Sequence, residues 1–142
     1  MSVLTSPFFD VMSTDAALAL LLNVYNGEPA VFTIDPVPGD AVYPLIVTSG
    51  EVVRTPNEAK NCRGFFVIRD IRCYTEANGS AAVVEDMAAR VYALFHRVPL
   101  SIPGYNWIMS DVGGPIEANV NDYYGRILSV SVIARRLSFG GS

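Results

Sequence analysis

The apolar positions change period along this chain, and the change places its main elements. From Phe65 to Thr75 the residues are mostly β-branched or aromatic and follow a period of two. Val67, Ile71 and Cys73 then share one face of a strand with Arg69, while Phe66, Ile68 and Tyr74 share the other with Asp70 and Arg72. Both faces are partly apolar. A sheet covered by helices on one side and by another subunit on the other accounts for this, as does a small domain that covers both faces itself. From Ala81 to Arg97 the period becomes helical, with Val84, Met87, Ala88, Val91, Leu94 and Phe95 on one stripe. Glu85 and Asp86 come early and His96 and Arg97 late, as the helix dipole favours.

The remaining elements are read from punctuation. Ser6 is placed to cap a helix with Pro7 at its first position. Ser13, Thr14 and Asp15 offer caps for a second helix over Ala16 to Tyr25, in which Leu18, Leu21, Leu22 and Tyr25 are helically spaced and Asn26-Gly27 closes the run. A short extended piece, Ala30 to Ile34, leads into a Pro-rich loop and a strand from Tyr43 to Thr48, which Glu51 to Arg54 continues past a bulge at Gly50. Thr55 to Asn61 reads as a loop or hairpin tip. Tyr105 to Val112 and Arg126 to Leu137 read as strands, the second turning Leu128, Val130, Val132 and Ala134 one way and Ser129 and Ser131 the other. Gly113 to Gly125 reads as a long loop or a curling hairpin arm.

The predicted fold is α+β: a mostly antiparallel or mixed sheet of about four to five strands with two main helices on one face. The predicted core is Leu18, Leu22, Val67, Ile71, Val84, Val91, Leu94, Val130 and Val132. At 142 residues the chain is one domain long, with residues 1–13 as an N-terminal extension and 138–142 as a flexible tail.

Composition sharpens the question of what covers the apolar surface. Hydrophobic residues make up 51% and charged residues 17%, against ~25% charged in typical domains; mean hydropathy is +0.32. The longest unbroken apolar run, Ala16 to Leu22, is far short of the ~18–20 residues that a spanning helix needs. The first basic residue is Arg54, so the start lacks the basic region of a secretory signal and a cytoplasmic protein is expected. Protein remains as the cover, and self-assembly is the leading expectation, with scattered surface apolarity as the bland alternative.

Charge is uneven: residues 1–53 hold six acids and no Lys or Arg, and the remainder holds eight acids against ten bases. With a pI near 4.8 and no basic cluster beyond Arg135-Arg136, tight binding to a nucleic-acid backbone is not expected.

Candidate chemistry is sparse. Cys62 and Cys73 are the only cysteines and are expected as unbridged thiols. One histidine and no close Cys pair cannot begin a zinc site. His96 belongs at a helix end, where a cation meets the last carbonyls. Glu85 and Asp86 are adjacent on a helix and point apart, and Gly113-Gly114-Pro115 lacks the strand, turn and helix order of a phosphate loop. No catalytic residue, metal or cofactor is expected. Tyr105, Trp107, Tyr123 and Tyr124 read as core or interface anchors.

Several strings resemble the tail terminator family of long-tailed phages and the related tail-completion proteins of prophages and gene transfer agents. Thr14-Asp15-Ala16-Ala17-Leu18 followed by Val24-Tyr25, the strand entry Val42-Tyr43-Pro44-Leu45-Ile46-Val47, the run from Val67 through Asp70-Ile71 to Cys73-Tyr74-Thr75, and Asp122-Tyr123-Tyr124-Gly125-Arg126 carry the likeness, from about Thr14 to Leu137. Arg72 departs from it, standing where the family often has an aromatic residue. The resemblance implies a non-enzymatic virion protein, assembled in the host cytoplasm, that forms a ring, usually hexameric, at the tail–head junction. Such a ring caps the tail tube, stops its growth and meets a head-connector or stopper protein, while DNA passes through the lumen without sequence-specific binding. Phe66, Ile68, Tyr74, Tyr123, Tyr124 and Arg126 are the expected subunit or tube interface. Within the same class a different head–tail completion or tail-tube protein fits these strings; outside it, a small ligand-binding α+β domain does.

Overall fold

A computed structural model describes residues 3–34, 37–48, 51–56, 64–77 and 79–136. In chain order the elements are α1 (Thr5–Ser13), α2 (Ala16–Leu21), β1 (Val24–Tyr25), β2 (Glu28–Pro29), β3 (Val31–Phe32), β4 (Leu45–Val47), β5 (Glu51–Pro56), β6 (Gly64–Glu76), α3 (Ala82–Phe95), β7 (Tyr105–Glu117) and β8 (Tyr123–Arg136). The α+β class follows directly: one mixed sheet runs β3-β4-β6-β8-β7, β5 pairs beside β4 on the same edge of β6, and β1 and β2 form a separate ribbon. Pairing is antiparallel except between β3 and β4.

β6 is the axis of the fold because its alternation is nearly perfect. Phe65, Val67, Arg69, Ile71, Cys73 and Thr75 are buried, and the residues between them are half-buried. β8 lies antiparallel along its whole length, from Gly64 opposite Arg135 to Glu76 opposite Tyr123. Opposed residues share a face, so Leu128, Val130, Val132 and Ala134 join the buried side. The three helices of the described residues cover that side. α3 contributes Val84, Met87, Ala88, Val91 and Phe95, α2 contributes Leu18, and Leu22 follows it into the same core. Leu94 is only half-buried at the core's edge. Leu4, Phe8 and Met12 are fully buried in the same cluster, which makes residues 3–13 part of the packing. Phe8 meets Phe95 with ring centroids 4.7 Å apart.

A second, smaller cluster lies at the β4 edge. Ala30, Phe32, Leu45 and Val47 are buried there beneath Tyr25, Val37, Ala41, Val42, Tyr43 and Tyr74.

Several local expectations are corrected. α1 begins at Thr5 with Leu4 in the cap position and no side-chain cap; Ser6 lies inside it and its hydroxyl reaches Asp10 at 3.4 Å. α2 ends at Leu21, and Val24-Tyr25 pairs as a strand with Glu28-Pro29. Asn26 (φ 50) and Gly27 (φ 81) therefore make a hairpin turn, the conformation that two-residue turns demand, and do not terminate a helix. Asn23 draws the chain out of the helix by donating its backbone N–H to the Pro44 carbonyl and its Nδ2 to the Tyr43 carbonyl, each at 3.0 Å.

Of the two readings of Gly113 to Gly125, a long loop or a hairpin arm, the structure has the hairpin arm, with β7 running to Glu117 and β8 starting at Tyr123. β7 runs on through Gly113-Gly114-Pro115 by a register shift before Ile116. Gly114 has φ +94, and a Cβ there would lie 2.8 Å from the Ile127 carbonyl oxygen, so only glycine lets the strand stay paired. Thr55 and Pro56 belong to β5; Gly50, residues 57–61 and Leu137 to Ser142 lie outside the described residues.

Candidate functional site

Among the described residues no helix packs on the other face of the sheet, which makes that face a candidate surface. It is built by the alternate residues of three long strands: Phe66, Ile68, Asp70 and Arg72 on β6, Ile127, Ser129, Ser131 and Ile133 on β8, and Met109, Asp111 and Ile116 on β7. Apolar residues surround a polar centre, where Ser129 donates to Asp70 at 3.2 Å and Arg72 lies 3.9 Å from the same carboxylate. Ile116 is 63% exposed and Met109 37%. The β-branched and aromatic residues that drive strand formation here stay half-buried or exposed on this side.

The six expected interface residues do not share one surface. Phe66 and Ile68 stand on this open face. Tyr74 and Tyr123 belong to the same side of the sheet, but Tyr74 packs on the smaller core and Tyr123 stacks on Tyr43 at 4.4 Å between centroids. Burial, with Tyr123 and Tyr74 beside it, raises the Tyr43 phenol above its ordinary pKa. Tyr124 and Arg126 turn to the helix side: Tyr124 packs against the main core, and Arg126 reaches Glu85 of α3 at 3.3 Å. Register sends neighbours 123 and 124 to opposite faces, so the six residues are spread over both sides of the sheet.

Sequence reasoning gave Arg69 no role beyond its face. The structure buries it completely at the mouth of the edge formed by β4 and β5. Its Nε donates to Thr48 Oγ1 at 2.8 Å and its Nη2 to the Thr48 carbonyl at 2.9 Å. Glu51 lies 3.8 Å from Nη1, and the guanidinium stands 5.6 Å from the centroid of the Phe8 ring. Burial lowers the Arg69 pKa and Glu51 acts against that shift. This one side chain ties the end of β4, the start of β5 and α1 to the central strand. A charged residue at a core position of an alternating run was the available signal.

His96 is the C-cap of α3 and accepts a hydrogen bond from the Val112 N–H through Nδ1 at 3.1 Å, with its ring stacked on Tyr92. Ser110 closes the neighbouring carbonyls, donating to Phe95 O at 2.7 Å and receiving Trp107 Nε1 at 3.1 Å.

A shallow groove of about 200 Å³ between α1 and the chain near Ser101 and Pro103 is lined by Ser6, Pro7, Asp10 and Val11, below the ~300–1,000 Å³ of ordinary small-molecule sites. Among the described residues no group of three or more His, Cys, Asp or Glu is placed to hold a metal. No helix among them is long and apolar enough to cross a membrane.

No protein-family model matches this chain, and no curated protein matches it. Among solved structures it is similar to a chain of the virion of a native gene transfer agent particle, at a TM-score of 0.74 and 18% identity, over 93% of this chain and 94% of that one. This protein therefore has the fold of a chain found in a gene transfer agent virion.

Proposed function

We propose that this chain is a structural virion protein that works by assembly and carries out no catalysis. The observation that carries the reading is the end-to-end likeness of its fold to a chain of a gene transfer agent particle. The open sheet face, with exposed Ile116 and Met109 beside half-buried Phe66 and Ile68, supports it by offering apolar surface for protein neighbours.

The finer role is that of a tail terminator, for which the quoted sequence strings are the support. One domain, residues 1–142, assembles in the host cytoplasm into a ring, hexameric in this reading, on the last layer of the tail tube. One side of the ring copies the surface on which tube subunits add, and the other presents a different surface to the connector or stopper protein. The next tube subunit then finds no complementary site and growth ends, so binding geometry does the work. DNA crosses the lumen without sequence-specific contact.

Electron microscopy of particles made without this protein tests the role. Overlong tails are expected. Normal tails with leaking heads would assign it to head completion instead, and absent tails to the tube. Normal, filled and tailed particles would overturn a place in this assembly and revive the ligand-binding reading.

A further inference from the structure

The long strands give the domain two ends of opposite charge. β6 and β8 pair over thirteen positions, which separates the ends of the sheet by ~40 Å at ~3.3 Å per residue. At one end Glu76 terminates β6, Glu117 terminates β7, and Asp122 sits in the turn into β8; all three are exposed. The turn is held against the end of β6 by the Ala77 N–H donating to the Asp122 carbonyl at 2.8 Å, so these carboxylates are gathered by the fold. The base beside them, Arg126, is 12% exposed and already engaged with Glu85. Exposed Ile116 and Val120 lie among the acids.

At the opposite end β8 finishes on Arg135 and Arg136, both exposed, paired in register with Asn106 and Tyr105 at the start of β7. Ile108 and Met109 stand exposed on that part of β7. Among the described residues each end thus combines solvent-exposed apolar side chains with exposed charge of one sign, and the signs are opposite. Two such ends on one rigid sheet cannot pair with each other within a chain, because the sheet holds them apart.

We infer that the acidic end, around Glu76, Glu117 and Asp122, docks on the basic end, around Arg135 and Arg136, of a second copy of this chain. The contact is head-to-tail, so it uses two different patches of each copy and closes into a ring when the rotation per contact divides a full turn. The apolar residues supply the buried area and the charges set direction, since head-to-head and tail-to-tail contacts place like charges together. The inference rests on the assembly reading above and names the surfaces that make the ring.

Sedimentation velocity at low salt and high protein concentration tests it with two double variants, Glu76→Lys with Asp122→Lys and Arg135→Glu with Arg136→Glu. The four positions are exposed, so both proteins should melt close to the wild type by circular dichroism. The wild type should sediment as an oligomer that dissociates as salt is raised. Each variant alone, carrying like charge at both ends, should lose the oligomer, and an equal mixture of the two should regain it by alternation. A variant that alone keeps the wild-type oligomer, a mixture that stays monomeric, or a wild type monomeric at every concentration would each overturn the inference. The tail-capping role is judged separately by tail length in micrographs, so the docking surfaces can fail while that role stands.

Discussion

Arg90 of α3 clamps Asp15 at the head of α2 with two hydrogen bonds, Nε to Oδ2 at 2.9 Å and Nη2 to Oδ1 at 2.7 Å. The same Oδ2 accepts the Leu18 N–H at 2.9 Å, so one carboxylate both caps its own helix and fastens it to another. Chiefly through the Arg90 hydrogen bond, and against some desolvation, the Asp15 pKa is held below the ordinary 3.8. A carboxylate with a depressed folded pKa stabilises fully above its unfolded value and loses that contribution as pH falls through the folded one.

Asp15→Ala should therefore destabilise the domain at neutral pH, with the lost cap alone worth ~0.5–2 kcal/mol. The difference from wild type should shrink below about pH 4, as the native carboxylate protonates. Urea titrations at pH 7 and at acid pH check both parts. A deficit that stays constant down to strong acid would remove the ion pair from the explanation.

Arg69→Met should destabilise far more than a surface Arg change. It strips the Thr48 hydroxyl and carbonyl of their donor and leaves Glu51 beside an apolar side chain. Removing one partner from a buried charged set costs about 3–5 kcal/mol. Arg69→Lys should recover only part of this, because one ammonium cannot reproduce a fork that reaches two oxygens of Thr48. Chemical denaturation of the three proteins gives the ordering.

The two faces of β6 should separate folding from assembly. Val67 and Ile71 are fully buried under the helices, so Asp at either buries an unpaired charge and should unfold a domain whose total stability is of order 5–15 kcal/mol. Phe66→Asp and Ile68→Asp alter the open face and should give a folded protein that fails to cap tails. Circular dichroism melts beside a tail-length assay distinguish the sets; equal unfolding by all four would mean that the open face is needed for folding itself.

Cys73 should be inert in the native protein. Its thiol is fully buried and burial pushes its pKa up to about 12, which leaves almost no thiolate at neutral pH. Alkylation followed by peptide mapping should show Cys73 protected until denaturant is added. Rapid native labelling at Cys73 would show that the β4 edge opens readily. Cys62, expected from sequence to be unbridged, lies outside the described residues.

What the amino-acid sequence determined by itself is what depends on backbone period. The alternation in β6 and β8 names the buried face because successive strand side chains must point apart, and the stripe from Val84 to Phe95 names the packed side of α3 because 3.6 residues make a turn. Neither needs a distant partner to be read. Tertiary structure decided where the periods stop and which residues meet. α2 ends early because Asn23 finds carbonyls twenty residues away, and Gly113 to Glu117 is strand because β8 offers it a ladder. Arg69 is tolerated in the core because Thr48 and Glu51 arrive from the neighbouring edge. Tyr123 and Tyr124, equal as sequence, divide between two faces once register is set. In the first three cases a polar side chain or a backbone group is satisfied by a partner from another part of the chain, in the last the pairing strand sets the face, and no local pattern encodes that partner.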